Sequence, residues 1–152
     1  MAEFEPAIEI TLRNEGGLVD DPADPGGLTN FGISQASYPN VDIRNLTVEG
    51  AKAIYLRDFW KFGGIVEQSI ANKLFDMYVN MRHTAIKIAQ QVSSVTADGV
   101  YGSATESAIN AMNSGKFIAD YRTALIQHYK DIVYAKPEEE KFLNGWLRRA
   151  AQ

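Results

Sequence analysis

Glu15-Gly16-Gly17-Leu18-Val19-Asp20-Asp21-Pro22-Ala23-Asp24-Pro25-Gly26-Gly27-Leu28-Thr29-Asn30-Phe31-Gly32 is the stretch on which the reading of this chain turns. It is dense in glycine, proline and aspartate, which stop helices and set tight turns. It therefore predicts a structured loop, with a short hairpin around Leu28–Ile33. The residues before it have a different pattern. Phe4, Ile8 and Leu12 recur every four positions, the spacing of one apolar stripe on a helix over 4–15. Glu15 follows Leu12 by three residues and ends that stripe, and Gly16-Gly17 terminates the helix.

Downstream, the pattern is helical almost throughout. Thr47 is placed to cap a helix running to about Trp60, with Glu49 in its first turn. Ser69 to Met81 and Thr84 to Val92 carry helical periodicity, with a break near Arg82. Ala97-Asp98-Gly99-Val100-Tyr101-Gly102 reads as a turn. Ser103 and Glu106 have the spacing of a capping box for a helix to about Asn113. A further helix runs from Lys116 to about Tyr134. Pro137, followed by three glutamates, starts a last helix that ends in Arg148-Arg149, basic side chains at the negative end of the dipole. The expected class is mainly α: a helical fold with a short loop or β-hairpin lobe after the first helix.

Composition narrows the functions. The chain has 152 residues, about one domain. It has no cysteine, which excludes disulfides and thiolate chemistry, and two widely spaced histidines, His83 and His128, which predict no metal site. A net charge of −4 argues against nucleic acid or an anionic membrane as partner. No apolar run reaches the length of a membrane span. The acidic start Met1-Ala2-Glu3-Phe4-Glu5-Pro6 lacks the basic and then apolar pattern of a secretory signal. The expectation is a chain made in the cytoplasm, monomeric and without cofactor.

Among the carboxylates, Glu15 stands out because the rest of its stripe is apolar. Burial disfavours the charged form of a carboxyl group, and a glutamic acid kept protonated near neutrality can donate to a leaving oxygen. The bland alternative is a helix-end glutamate bonded to nearby backbone. The loop supplies Asp20, Asp21 and Asp24, which polar surroundings keep ionised. A protonated glutamic acid facing an ionised aspartate is the pair that glycoside hydrolysis requires. An EF-hand reading of the loop fails, because counting from Asp20 the sixth and twelfth places hold Pro25 and Phe31 instead of Gly and Glu. A plain cluster of turns is the other reading.

The whole run from Glu15 to Ser34 resembles the signature of the glycoside hydrolase family 108 muramidases, which occur as phage endolysins and secretion-linked lysozymes. The matching pieces are the glutamate, the Gly16-Gly17 pair, the Asp24-Pro25-Gly26-Gly27 turn and the Thr29-Asn30-Phe31-Gly32-Ile33 end. More distantly, Glu15, Asp24 and Thr29 resemble the catalytic set of phage-type lysozymes, with the threonine one residue early. The resemblance implies a lysozyme-like fold and cleavage of the N-acetylmuramic acid to N-acetylglucosamine bond. It makes Glu15 the general acid, Asp24 the base or electrostatic partner and Thr29 the water-positioning residue, with Asp20 or Asp21 as alternatives to Asp24.

The resemblance extends over Leu46–Trp60 and over Leu74-Phe75-Asp76-Met77-Tyr78-Val79-Asn80, and it implies Tyr78 and Asn80 as substrate-binding residues. Met81-Arg82-His83 stands where the family often has a small residue or glycine. Gln90-Gln91, Asp98–Gly102 and Thr105 resemble a helical peptidoglycan-binding segment. The expected organisation is a catalytic region over 1–90 and a peptidoglycan-binding-like region over 91–152 in the same compact body. The implied partner is the peptidoglycan glycan strand, reached in the periplasm or cell wall through a separate holin or secretion system. A non-catalytic peptidoglycan-binding or secretion-accessory protein is the alternative.

Overall fold

The computed structural model describes residues 1–23 and 26–152. Helix α1 (Phe4–Glu15) leads into three short strands, β1 (Val19–Asp20), β2 (Leu28–Asn30) and β3 (Ile33–Ser34). Six further helices follow: α2 (Val48–Asp58), α3 (Gln68–Met81), α4 (His83–Val92), α5 (Ser103–Ala111), α6 (Ser114–Ala135) and α7 (Glu140–Ala151). The protein is thus mainly α with a small antiparallel sheet in the order β1-β2-β3, as expected from the sequence.

Helix α3 is the axis of the fold. Ile70 through Tyr78, apart from Asn72, are buried, and α1, α4 and α6 pack around them. Two charged residues, Lys73 and Asp76, lie inside this apolar run at 6% and 2% exposure. Buried charges are costly unless paired, and both turn out to be held by the C-terminal helix. On α1 the fully buried side chains are Ala7, Ile8 and Thr11, whereas Phe4 and Leu12 are only partly covered. The buried face is therefore rotated slightly from the Phe4–Ile8–Leu12 stripe, toward Thr11.

Local chemistry explains most of the boundaries. Thr47 caps α2 by accepting from Gly50 N at 3.0 Å. Gly16 ends α1 with φ 75°. At the α3–α4 break Arg82 has φ 56°, a left-handed conformation that costs a non-glycine residue free energy. Its guanidinium lies 4.0 Å from the centre of the Phe59 ring, a contact that offsets part of that cost.

Three details differ from the sequence expectation. Ser103 is the first residue of α5 and makes no capping bond. Glu106 instead accepts from the Tyr101 hydroxyl at 3.0 Å, which breaks the expected capping box. Asn113 belongs to the next helix, where its side chain caps α6 by accepting from Lys116 N at 3.0 Å. Pro137 opens a single 3-10 turn over Pro137–Glu139, and α7 begins at Glu140.

Candidate active site

Glu15 is the last residue of α1, and two distant parts of the chain close on it. The first is the hairpin. Thr29 pairs with Ser34 and Asn30 with Ile33, which leaves Phe31 and Gly32 as the two turn residues. Both have positive φ, 53° and 79°, the requirement of the tight hairpin turn that matches strand twist. The turn is held from both sides. The Tyr55 hydroxyl donates to Phe31 O at 2.8 Å. Asn30, 6% exposed, donates to Ile43 O at 3.1 Å. Gly32 then lies directly against the catalytic candidate. A β-carbon there would sit 2.8 Å from Glu15 Cγ and Oε2 and 2.7 Å from the Tyr55 hydroxyl.

The second part is the end of α7. Arg149 Nη2 donates to Glu15 Oε1 at 2.8 Å and to Asp76 Oδ1 at 3.0 Å, while Nε reaches Asp76 Oδ2 at 3.0 Å. Asp76 accepts two more bonds, from the Thr11 hydroxyl at 3.0 Å and the Asn14 amide at 3.1 Å. The side chains of Arg149 and Glu15 are 11% and 19% exposed, so this is a largely dry cluster with an outlet at Glu15. Burial works against the charge of Arg149, but the hydrogen bonds and charges of Asp76 and then Glu15 outweigh it and raise its pKa. Lys73 fixes the same helix end by donating to Arg149 O at 2.8 Å and Ala150 O at 2.5 Å. Burial, with the nearby cations Arg122 and Arg149, pushes its pKa down to about 8 against the pull of Asp76.

The expected site residues fall in different places. Asp24, the expected second carboxylate, lies outside the described residues. Thr29 is partly buried on β2 and, by the alternation of a strand, faces away from the inward-pointing Asn30. Asp20 is bound to Arg44 at 2.9 Å, and Asp21 accepts from Ala23 N at 2.9 Å in a local turn, so both alternative carboxylates have partners of their own. Asn80 accepts from the Tyr129 hydroxyl. Burial raises the pKa of Tyr129, with Arg149 and then Asp76 and Glu15 acting on it more weakly, which places Asn80 and Tyr129 at the edge of the Glu15 cluster. Tyr78 is 4% exposed, in edge contact with Phe59, Phe62 and His83, and its hydroxyl accepts from Lys61 at 3.0 Å. Its ring belongs to the aromatic core.

Sequence reasoning missed Arg149, Asp76 and Lys73. Arg149 had read as a dipole-compensating end residue. The available signal was a lysine and an aspartate three apart inside the apolar run Ile70–Tyr78, which demanded buried partners.

Two family models divide the chain. Residues 8–81 match the family model described as glycosyl hydrolase 108, and residues 84–151 match one described as a predicted peptidoglycan domain. Residues 8–81 are thus a glycosyl hydrolase 108 segment, and the chain is a glycoside hydrolase. The two matches meet at Arg82, the break between α3 and α4. The structure of Brucella abortus SagA is similar over 97% of this chain and 89% of that one, with a TM-score of 0.80 and 28% identity. No curated protein matches. Peptidoglycan is accordingly the substrate class, and the fold is lysozyme-like.

The peptidoglycan-domain motif itself is internally satisfied. The amide of Gln90 donates to Asp98 Oδ1, Val100 O and Thr105 Oγ1 at 2.9–3.0 Å, and its oxygen accepts from Gly99 N at 2.9 Å. These residues build the turn before α5. Among the described residues no helix is long and apolar enough to cross a membrane.

Proposed function

We propose that the chain is an endo-β-1,4-N-acetylmuramidase with Glu15 as general acid. The observation that carries this reading is the position of Glu15. It ends α1 partly exposed, packed on the Gly32 turn and fixed by Arg149, inside the segment that matches the hydrolase family. A partly exposed carboxyl group fixed at Oε1 by Arg149 has Oε2 left to carry the proton given to the glycosidic oxygen. The substrate supplies the remaining walls and excludes water.

Glu15→Gln keeps the shape and removes the acid. Turbidity clearance of bacterial walls should fall by about two to four orders of magnitude, the usual worth of a general acid. Mass spectrometry of the wild-type digest should show reducing N-acetylmuramic acid ends. Reducing N-acetylglucosamine ends or cut peptides would contradict the bond assignment.

For the displacement itself we infer inversion, with Asp24 as base and Thr29 as the residue that holds the attacking water while Glu15 protonates the leaving oxygen. A hydroxyl both donates and accepts, which suits it to that task. Inverting enzymes separate their carboxyls by roughly 6.5–9.5 Å to fit the water. Proton NMR of the first-formed product should show the α-anomer; a β-anomer at early times would establish retention.

A further inference from the structure

The aromatic rings packed around α1, α2 and α3 meet edge to face, whereas Phe117 and Tyr121 on α6 stack. Phe4, Tyr55, Phe59, Phe62 and Phe75 all follow the edge-to-face geometry. On α7 the rings also stack. Phe142 stacks on Trp146 with centroids 5.7 Å apart and planes 30° apart, and Trp146 stacks on Tyr129 at 5.2 Å and 24°. Phe142, Trp146 and Arg149 are spaced by four and then three residues, so they share one face of the helix. That face begins at the guanidinium bound to Glu15 and ends at a ring that is 47% exposed. By helical rise the stripe from Arg149 to Phe142 is about 10 Å long, the span of a disaccharide.

We propose that Phe142, backed by the stacked rings of Trp146 and Tyr129, forms a distal sugar subsite, where a ring of the glycan strand remote from the cut bond lies against its exposed face. This rests on the hydrolase reading of Glu15. The occupant is fixed by continuity, because a strand seated at Glu15 and extending along α7 meets Phe142 next. The C–H face of a pyranose is apolar and flat, and an aromatic ring is the side chain that matches it while adding little ordering cost. The ammonium of Lys141 stands 5.1 Å from the Phe142 ring centre. A bound sugar moves it to the rim, where it meets the carboxylates carried by the peptide stems of the wall.

The experiment compares Phe142→Leu and Phe142→Tyr with the wild type on purified glycan strands, long and short, reading KM and kcat separately. Tyr134→Ala, which removes a 91% exposed ring of α6 from outside the stripe, serves as control. Phe142→Leu should raise KM for long strands about two- to tenfold, the worth of one aromatic contact. Phe142→Tyr and Tyr134→Ala should match the wild type. Unchanged KM in Phe142→Leu would overturn the subsite, as would an effect equal on long strands and on fragments too short to reach α7. A change in oligomeric state on gel filtration would show instead that the ring contacts a second copy, and would overturn it too. If the wild type releases no sugar from any strand, the hydrolase reading fails first, a result distinct from all of these.

Discussion

The hairpin and the C-terminal helix reach Glu15 by opposite means. The hairpin comes from the adjoining residues, is three short strands deep and touches Glu15 with backbone at Gly32. Helix α7 comes from the far end of the chain and touches it with charge, through an arginine shared with a buried aspartate. A backbone approach depends on the absence of a side chain. A charged approach depends on several side chains at once, each of which must stay paired. The two should therefore fail differently, and the strongest test of the contrast lies on the helix.

Arg149→Met keeps the length of the side chain and removes its charge. It leaves Asp76 buried with only Thr11 and Asn14 as hydrogen-bond partners among those described, and it frees Glu15. Breaking a buried pair on one side costs about 3–5 kcal/mol, which for a chain of this size lowers Tm by roughly 10 °C. Wall clearance should fall at least about tenfold as Glu15 loses its fixed position. Adding Asp76→Asn removes the stranded charge and should restore much of the melting temperature without restoring lysis. If lysis returns together with stability, Arg149 is a structural residue alone.

Gly32 tests the hairpin side. An alanine there meets Glu15 Cγ and Oε2 at 2.8 Å, and φ 79° strains it as well. The obstructing atoms all belong to side chains, Glu15 and the Tyr55 hydroxyl, and Glu15 is the more exposed of the two, so the fold yields by moving Glu15. Gly32→Ala should cost about 1–2 kcal/mol in stability and a much larger share of activity. Gly27 also has positive φ, 66°, but its β-carbon position is open. Gly27→Ala should show a similar stability loss with little loss of lysis. Equal activity in the two variants would mean that Gly32 acts only through its backbone angle.

This contrast also explains what the sequence could reveal. The hairpin was legible because turn residues act locally: glycine at Gly16 and Gly32, and the placement of Leu28–Ile33, follow from steric rules that need no knowledge of the fold. Thr47 capped its helix for the same reason. The place of Glu15 at the end of α1 was legible because Gly16-Gly17 stops the helix there. The Asp76–Arg149 pair was not, because the two residues are 73 positions apart and a charge in a helical run does not name its partner. Glu106 shows the other side of the problem. Its spacing from Ser103 fitted a capping box, but a tertiary neighbour, the Tyr101 hydroxyl, took the carboxylate instead.

A pH dependence is also expected, and it comes from Lys73, the second cation that secures α7. Its ordinary pKa of 10.5 is pushed down to about 8 in the folded chain, chiefly by burial. Between those values the unfolded chain holds a proton that the folded one has lost. Stability rises with pH wherever the unfolded state binds more protons, so this residue should favour folding increasingly from about pH 8 upward. Above pH 10 the buried tyrosines oppose it. Tyr55, Tyr121 and Tyr129 all have raised pKa values, first through burial, and keep their protons after the unfolded chain has released its own. The clean window is therefore pH 8 to 10. Lys73→Met removes this titration along with two bonds to the carbonyls of Arg149 and Ala150. Urea unfolding of both proteins at intervals across the window should show the wild type gaining stability relative to the variant as pH rises. A constant difference would mean that Lys73 keeps its proton throughout and grips the helix end as an ammonium at every pH tested.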